Sequence, residues 1–136
     1  HLAIEVARRA GRRLVLAGQV YPFSYHQRYF DREIAPRLNQ NGSLIYFVEH
    51  PAFPEKIELM RRARALLVPS LAEETSSLVA MEAMACGVPV IVTDHTGMKE
   101  HVCEGANGFV TPAGDPEVAP PAPRVRRAPR QPGHPP

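Results

Sequence analysis

Tryptophan is absent from this 136-residue chain, cysteine occurs only twice, and aromatic residues make up 7% of it. No apolar run approaches the ~20 residues that a bilayer crossing requires. Each scarcity excludes something. Two cysteines, Cys86 and Cys103, are too few for a disulfide scaffold and fit a reducing compartment. The first residues show no basic segment leading into an apolar stretch and a cleavage site, so the expectation is a cytoplasmic protein, neither inserted nor secreted. Net charge is also small, with 16 Lys+Arg against 14 Asp+Glu.

What is plentiful is aliphatic residues and proline. The chain is 44% apolar, ordinary for a globular domain, and long enough for one core. Proline is concentrated at one end. Residues 116–136 hold eight prolines, four arginines and a single acid, which gives that segment a charge of +3 and leaves residues 1–115 at −1. The predicted division is a folded unit over 1–115 and a disordered Pro/Arg-rich tail over 116–136, a composition that an out-of-frame reading of a GC-rich region also gives. A nucleic-acid interface needs basic residues gathered on a folded face, so no nucleic-acid partner is expected.

Short aliphatic runs alternate with helical patterns. A half-exposed helix ended by Gly11 leads into Leu14–Ala17, stopped by Gly18. Tyr25–Leu38 has apolar residues about one turn apart, with Pro36 arguing for an end or kink, and residues 39–43 read as a turn. Leu44–Val48, Ala65–Val68, Val90–Val92 and Phe109–Val110 read as further strands, with helices from Pro54, over Ser77–Ala85 and over Lys99–Val102 between them. Strands apolar at every position are expected to be covered on both faces. The fold class is therefore α/β, a doubly wound parallel sheet.

In such sheets ligands bind beyond the carboxyl ends of the strands, at helix N-termini. The loop Pro69–Ser76 carries Glu73 and Glu74, and Thr75, Ser76 and Ser77 stand just before Leu78 as N-cap candidates whose helix would offer free amides to an anion. The helix that follows has one charge, Glu82, and is apolar on its other positions, so it reads as buried. A carboxylate there needs a partner. Two readings stay open: ligand hydroxyls beside the anion site, as in a nucleotide sugar, or an ion pair with Arg61 or Arg62. His95, His101, Cys86 and Cys103 match no tight metal-ligand spacing.

Leu67-Val68-Pro69-Ser70, then Glu73 through Ile91 with Glu74 and Glu82 separated by seven positions, resembles the signature of glycosyltransferase family 4. Leu14–Gly18, the Glu55-Lys56 helix, Gly97 with Glu100, and Gly105–Val110 follow in that family's order. The resemblance covers about Leu2 to Asp115. It implies a retaining enzyme of the GT-B fold, of which this chain is a truncated, Rossmann-like C-terminal half. It further implies that Glu74 holds the donor sugar's hydroxyls, that Glu82 binds the ribose diol, and that the amides around Thr75, Ser76, Ser77 and Leu78 take the diphosphate. Val48, Glu49 and His50 would border the base. No metal or other cofactor is implied; the partners are a nucleotide-diphosphate sugar and an N-terminal acceptor domain absent from these residues, with peripheral membrane association of the full-length enzyme as a further expectation. Thr75 and Ser77 replace family glycines, and Glu49 stands where a glycine commonly ends the strand. The alternative from another class is a non-catalytic nucleotide- or partner-binding module.

Overall fold

The computed structural model describes residues 1–38, 42, 44–73 and 75–116. Five parallel strands alternate with helices, in the order α1 (Leu2–Arg9), β1 (Leu14–Gly18), α2 (Ser24–Tyr29), β2 (Ile45–Glu49), α3 (Phe53–Arg62), β3 (Leu66–Val68), α4 (Leu78–Ala85), β4 (Val90–Thr93) and β5 (Gly108–Thr111). The α/β class and the parallel strands agree with the expectation. The predicted turn at 39–43 lies outside the described residues except for Gly42, as do residues 117–136 of the tail.

Pro36 acts as expected but earlier. After α2 the backbone loosens into a π turn over Phe30–Ile34 and tightens into a 3₁₀ turn over Ala35–Arg37. Proline has no N–H to continue an α-helical ladder. Lys99–Val102 is likewise a 3₁₀ turn, over Gly97–His101.

The strands form two sheets. β1 pairs with β2, Leu14 opposite Ile45 through Gly18 opposite Glu49. β3, β4 and β5 form the second sheet in that order. Each has its own core. Under the first, Ile4, Ala7, Ile34 and Ile45 are buried with Leu14, Leu16, Phe30 and Leu38 packed against them. The second gathers Met60, Ala80, Ala83, Val88, Val90, Val92 and Met98. Helix α1 serves both: Ile4 and Ala7 face the first core, while Leu2, Ala3 and Val6 line a shallow apolar cleft over Leu67, Ile91 and Thr111.

Two expectations about burial are corrected. β4 is covered on both faces, but β1 alternates, because one face of its sheet packs on α1 and the other meets solvent; Val15 and its register partner Tyr46 are both exposed. Helix α4 is buried on one face only. Ala80 and Ala83 are fully enclosed against β3 and β4, whereas Leu78 is 74% exposed and Val79 and Met81 are exposed as well.

Candidate functional site

Because all strands in each sheet are parallel, their carboxyl ends share one edge. In the second sheet this edge is latched by side chains. The Thr93 hydroxyl donates to the Ser70 carbonyl at 2.7 Å, so the end of β4 fixes the loop that follows β3. The Thr96 hydroxyl donates back to the Thr93 carbonyl at 3.1 Å, and the Asp94 carboxylate accepts from the Ala113 amide at 3.0 Å. Thr93 and Thr96 are buried, and these bonds are how they meet the cost of leaving water. The loop from Pro69 to Ser77 is thus held at its start, then carries Glu73, Thr75 and Ser76 exposed into solvent. Glu74 lies outside the described residues.

Ser77 is the N-cap residue of α4, with extended backbone and a buried side chain, and its carbonyl accepts from the Met81 amide. Its hydroxyl makes no capping bond. The amides of the first turn, Leu78 to Ala80, are therefore left uncapped by that side chain, and the helix dipole adds a partial positive charge there. A little over a turn into the helix stands Glu82. It is half-buried, and the Lys56 ammonium donates to its Oε1 at 2.8 Å. Neither Arg61 nor Arg62 is the partner. Both lie in the last turn of α3 and are exposed, whereas Lys56 is in its first turns, at the end of the helix that abuts this edge.

Lys56 is also placed over the ring of Phe53, 5.1 Å from its centroid. Phe53 is one turn back along α3 and is exposed. Sequence reasoning missed this cation because 26 residues separate it from Glu82; the available signal was a lone Lys behind Pro54-Glu55 at a helix start, and helix starts favour acids over cations.

The predicted base-bordering residues sit at the carboxyl end of β2. Val48 is half-buried, and Glu49 and His50 are exposed. His50 has a φ of +47° and is the only described non-glycine residue in the left-handed region. Its amide donates to the Gly18 carbonyl at 2.7 Å, closing β2 against β1. A histidine pays of order 1 kcal/mol or more for that conformation. The link from this segment to α4 is α3, which starts three residues later and sends Lys56 to Glu82. The structure therefore brings Ser77, Leu78, Glu82 and Lys56 to one helix start, while Val48–His50 sit at the carboxyl end of β2 in the other sheet.

His95, His101, Cys86 and Cys103 do not assemble. Cys86 packs on the second core and Cys103 is exposed, and among the described residues no three His, Cys, Asp or Glu side chains gather as metal ligands. The apolar cleft beneath α1 contains neither Ser77 nor Glu82.

The sequence profile of a family described as "Glycosyl transferases group 1" matches residues 2–119. The chain belongs to this glycosyltransferase family. Among curated relatives, an uncharacterized glycosyltransferase of Methanocaldococcus jannaschii is 37% identical over 79 residues, 58% of this chain and 22% of that protein. A D-inositol 3-phosphate glycosyltransferase of Catenulispora acidiphila is 41% identical over 70 residues, 51% of this chain and 16% of its own length. Among solved structures, Anabaena HepE in complex with UDP-glucose superposes with a TM-score of 0.67 at 26% identity, over 85% of this chain and 32% of HepE. This group 1 glycosyltransferase chain thus spans less than a quarter of those curated relatives and about a third of HepE. No helix among the described residues is long and apolar enough to cross a membrane.

Proposed function

We propose that the chain is the donor-binding part of a retaining glycosyltransferase of family 4, with residues 1–115 forming a partial nucleotide-sugar-binding unit, followed by a tail at 116–136. The acceptor-binding half belongs to the remainder of a longer protein, in line with the 32% of HepE that this chain covers. The observation that carries this reading is Glu82: a half-buried carboxylate with one oxygen paired to Lys56 and the other accepting from no described residue, just past the amides of α4 that Ser77 leaves uncapped, in a chain similar to HepE, a structure solved with UDP-glucose. Amides for a diphosphate and a carboxylate for a diol, set on one helix start, suit a nucleotide sugar.

In this reading Glu82 takes the ribose diol, the amides at Ser76, Ser77 and Leu78 take the diphosphate, and Val48, Glu49 and His50 border the base. Glu74 acts on the sugar. No metal and no protein nucleophile take part, and the protein contributes placement and electrostatic stabilisation of the leaving phosphate. The isolated chain binds donor and transfers nothing.

Heat unfolding with and without millimolar UDP-, GDP- and ADP-sugars tests the reading. A rise in midpoint with one base class, lost in Glu82→Ala, supports it. A folded sample that shifts with none of them overturns it. The reading as a non-catalytic module shares the pocket and separates on turnover: Glu74→Ala in the full-length enzyme abolishes transfer if the site is catalytic.

A further inference from the structure

Lys56 does more than join two helices. Its Nζ meets only one oxygen of Glu82, at 2.8 Å, and the Oε2 atom accepts no hydrogen bond from any described residue. The two side chains are 31% and 32% exposed, so the pair is neither sealed in the core nor free to tumble in solvent. Lys56 is itself fixed from a second side by the Phe53 ring, one turn earlier on the same face of α3. Around Glu82, α4 offers Ala80, Met81, Ala83 and Met84, none of which donates from its side chain. Without Lys56, no side chain on that helix would donate to the carboxylate and fix which way its oxygens face.

An ammonium is a compact point charge, and a single one on Oε1 leaves Oε2 available, where a guanidinium fork could occupy both oxygens. It also offsets the carboxylate's negative charge close to the amides that would receive an anion. We infer that Lys56 is a positioning residue, which holds Glu82 by one oxygen so that the other is presented to a ligand hydroxyl. This inference rests on the nucleotide-sugar reading of the site given above. An ion pair that only staples α3 to α4 would contribute to folding and leave ligand discrimination untouched.

The test is calorimetric titration of the whole chain with UDP and 2′-deoxy-UDP, repeated with the guanosine and adenosine pairs, on wild type, Lys56→Met, Lys56→Arg and Glu82→Gln. Wild type is expected to favour the ribonucleotide by about tenfold, roughly one hydrogen bond to a charged group. Lys56→Met should bring the two within about twofold, as Glu82→Gln does, and Lys56→Arg should recover part of the preference. Should Lys56→Met not fold, Lys56→Gln gives the same readout. A folded Lys56→Met that keeps the wild-type preference overturns the positioning role and leaves the site reading standing. Binding of no nucleotide to folded wild type overturns the site reading, and this inference with it.

Discussion

The two sheets are built from similar strands and end up in different surroundings. In the second, Val90 and Val92 of β4 are inaccessible to solvent, with α3 and α4 supplying Met60, Ala80 and Ala83 over them and Met98 completing the core. In the first, β1 and β2 bury one face on α1, while Val15 and Tyr46 lie side by side on the other and remain exposed. The candidate site divides accordingly. Glu82 and the start of α4 stand on the enclosed sheet, where the buried Ala80 and Ala83 anchor the helix backbone and Lys56 holds the Glu82 carboxylate, as a binding constellation requires. The base-bordering segment at Val48–His50 stands on the open one and carries a left-handed histidine.

The comparison breaks most sharply at Ile45. This residue is 1% exposed and is the centre of the small first core, so Ile45→Ala should cost about 3 kcal/mol, the usual range for deleting a buried aliphatic side chain. Amide exchange should show β1 and β2 losing protection while β4 keeps it; equal loss in both sheets would mean that α1 ties them into one cooperative unit. Gly108→Ala comes next and strikes the other sheet. A Cβ at Gly108 would run into the Val90 carbonyl opposite, which is backbone and has no rotamer to yield. The cost should be about 2 kcal/mol, read from denaturant midpoints, with protection lost at β5 before β1.

Much of this was legible in the sequence. Aliphatic runs and stops such as Gly11 and Gly18 marked strands and helix ends to within a residue or two, since local conformational rules decide those positions. Of the three hydroxyl residues that the same rules offered as caps, Ser77 stands at the N-cap position, but its hydroxyl makes no capping bond. Burial of α4 was misread because eight nearly all-apolar residues look the same whether a helix is enclosed or covered on one side only. The division into two sheets was also invisible, because apolar strands state that they pair without saying with which neighbour. The Lys56–Glu82 pair escaped for a similar reason: it is set by how α3 lies on α4, and pattern along one helix says nothing of its rotation against another.

His50→Gly sharpens the contrast at the site itself. Glycine adopts a φ of +47° without the Cβ clash, so the substitution should stabilise the fold by up to about 1 kcal/mol, less what the freer unfolded chain takes back. A thermal midpoint that rises while nucleotide binding weakens would mean that the strained imidazole is kept for the ligand. A midpoint that rises with binding unchanged would make His50 a turn residue only.

The smallest effect concerns charge near the first core. Glu33 sits in the π turn after α2, where Arg32 donates to its carboxylate at 3.0 Å and Arg37 at 3.2 Å. The hydrogen bond from Arg32 first, then that from Arg37, hold its pKa below the usual carboxylate value. A carboxylate depressed in the folded state contributes stability that is fully present above its unfolded pKa, about 4.3, and is lost as pH falls through the lower folded value. Stability of the wild type should therefore decline below about pH 4 more steeply than that of Glu33→Gln, and the difference should shrink in high salt, since the Arg32 partner is largely exposed. Exchange protection should show the difference between wild type and Glu33→Gln at β1 and β2 and not at β4, because the turn that carries Glu33 also sends Phe30 and Ile34 into the first core.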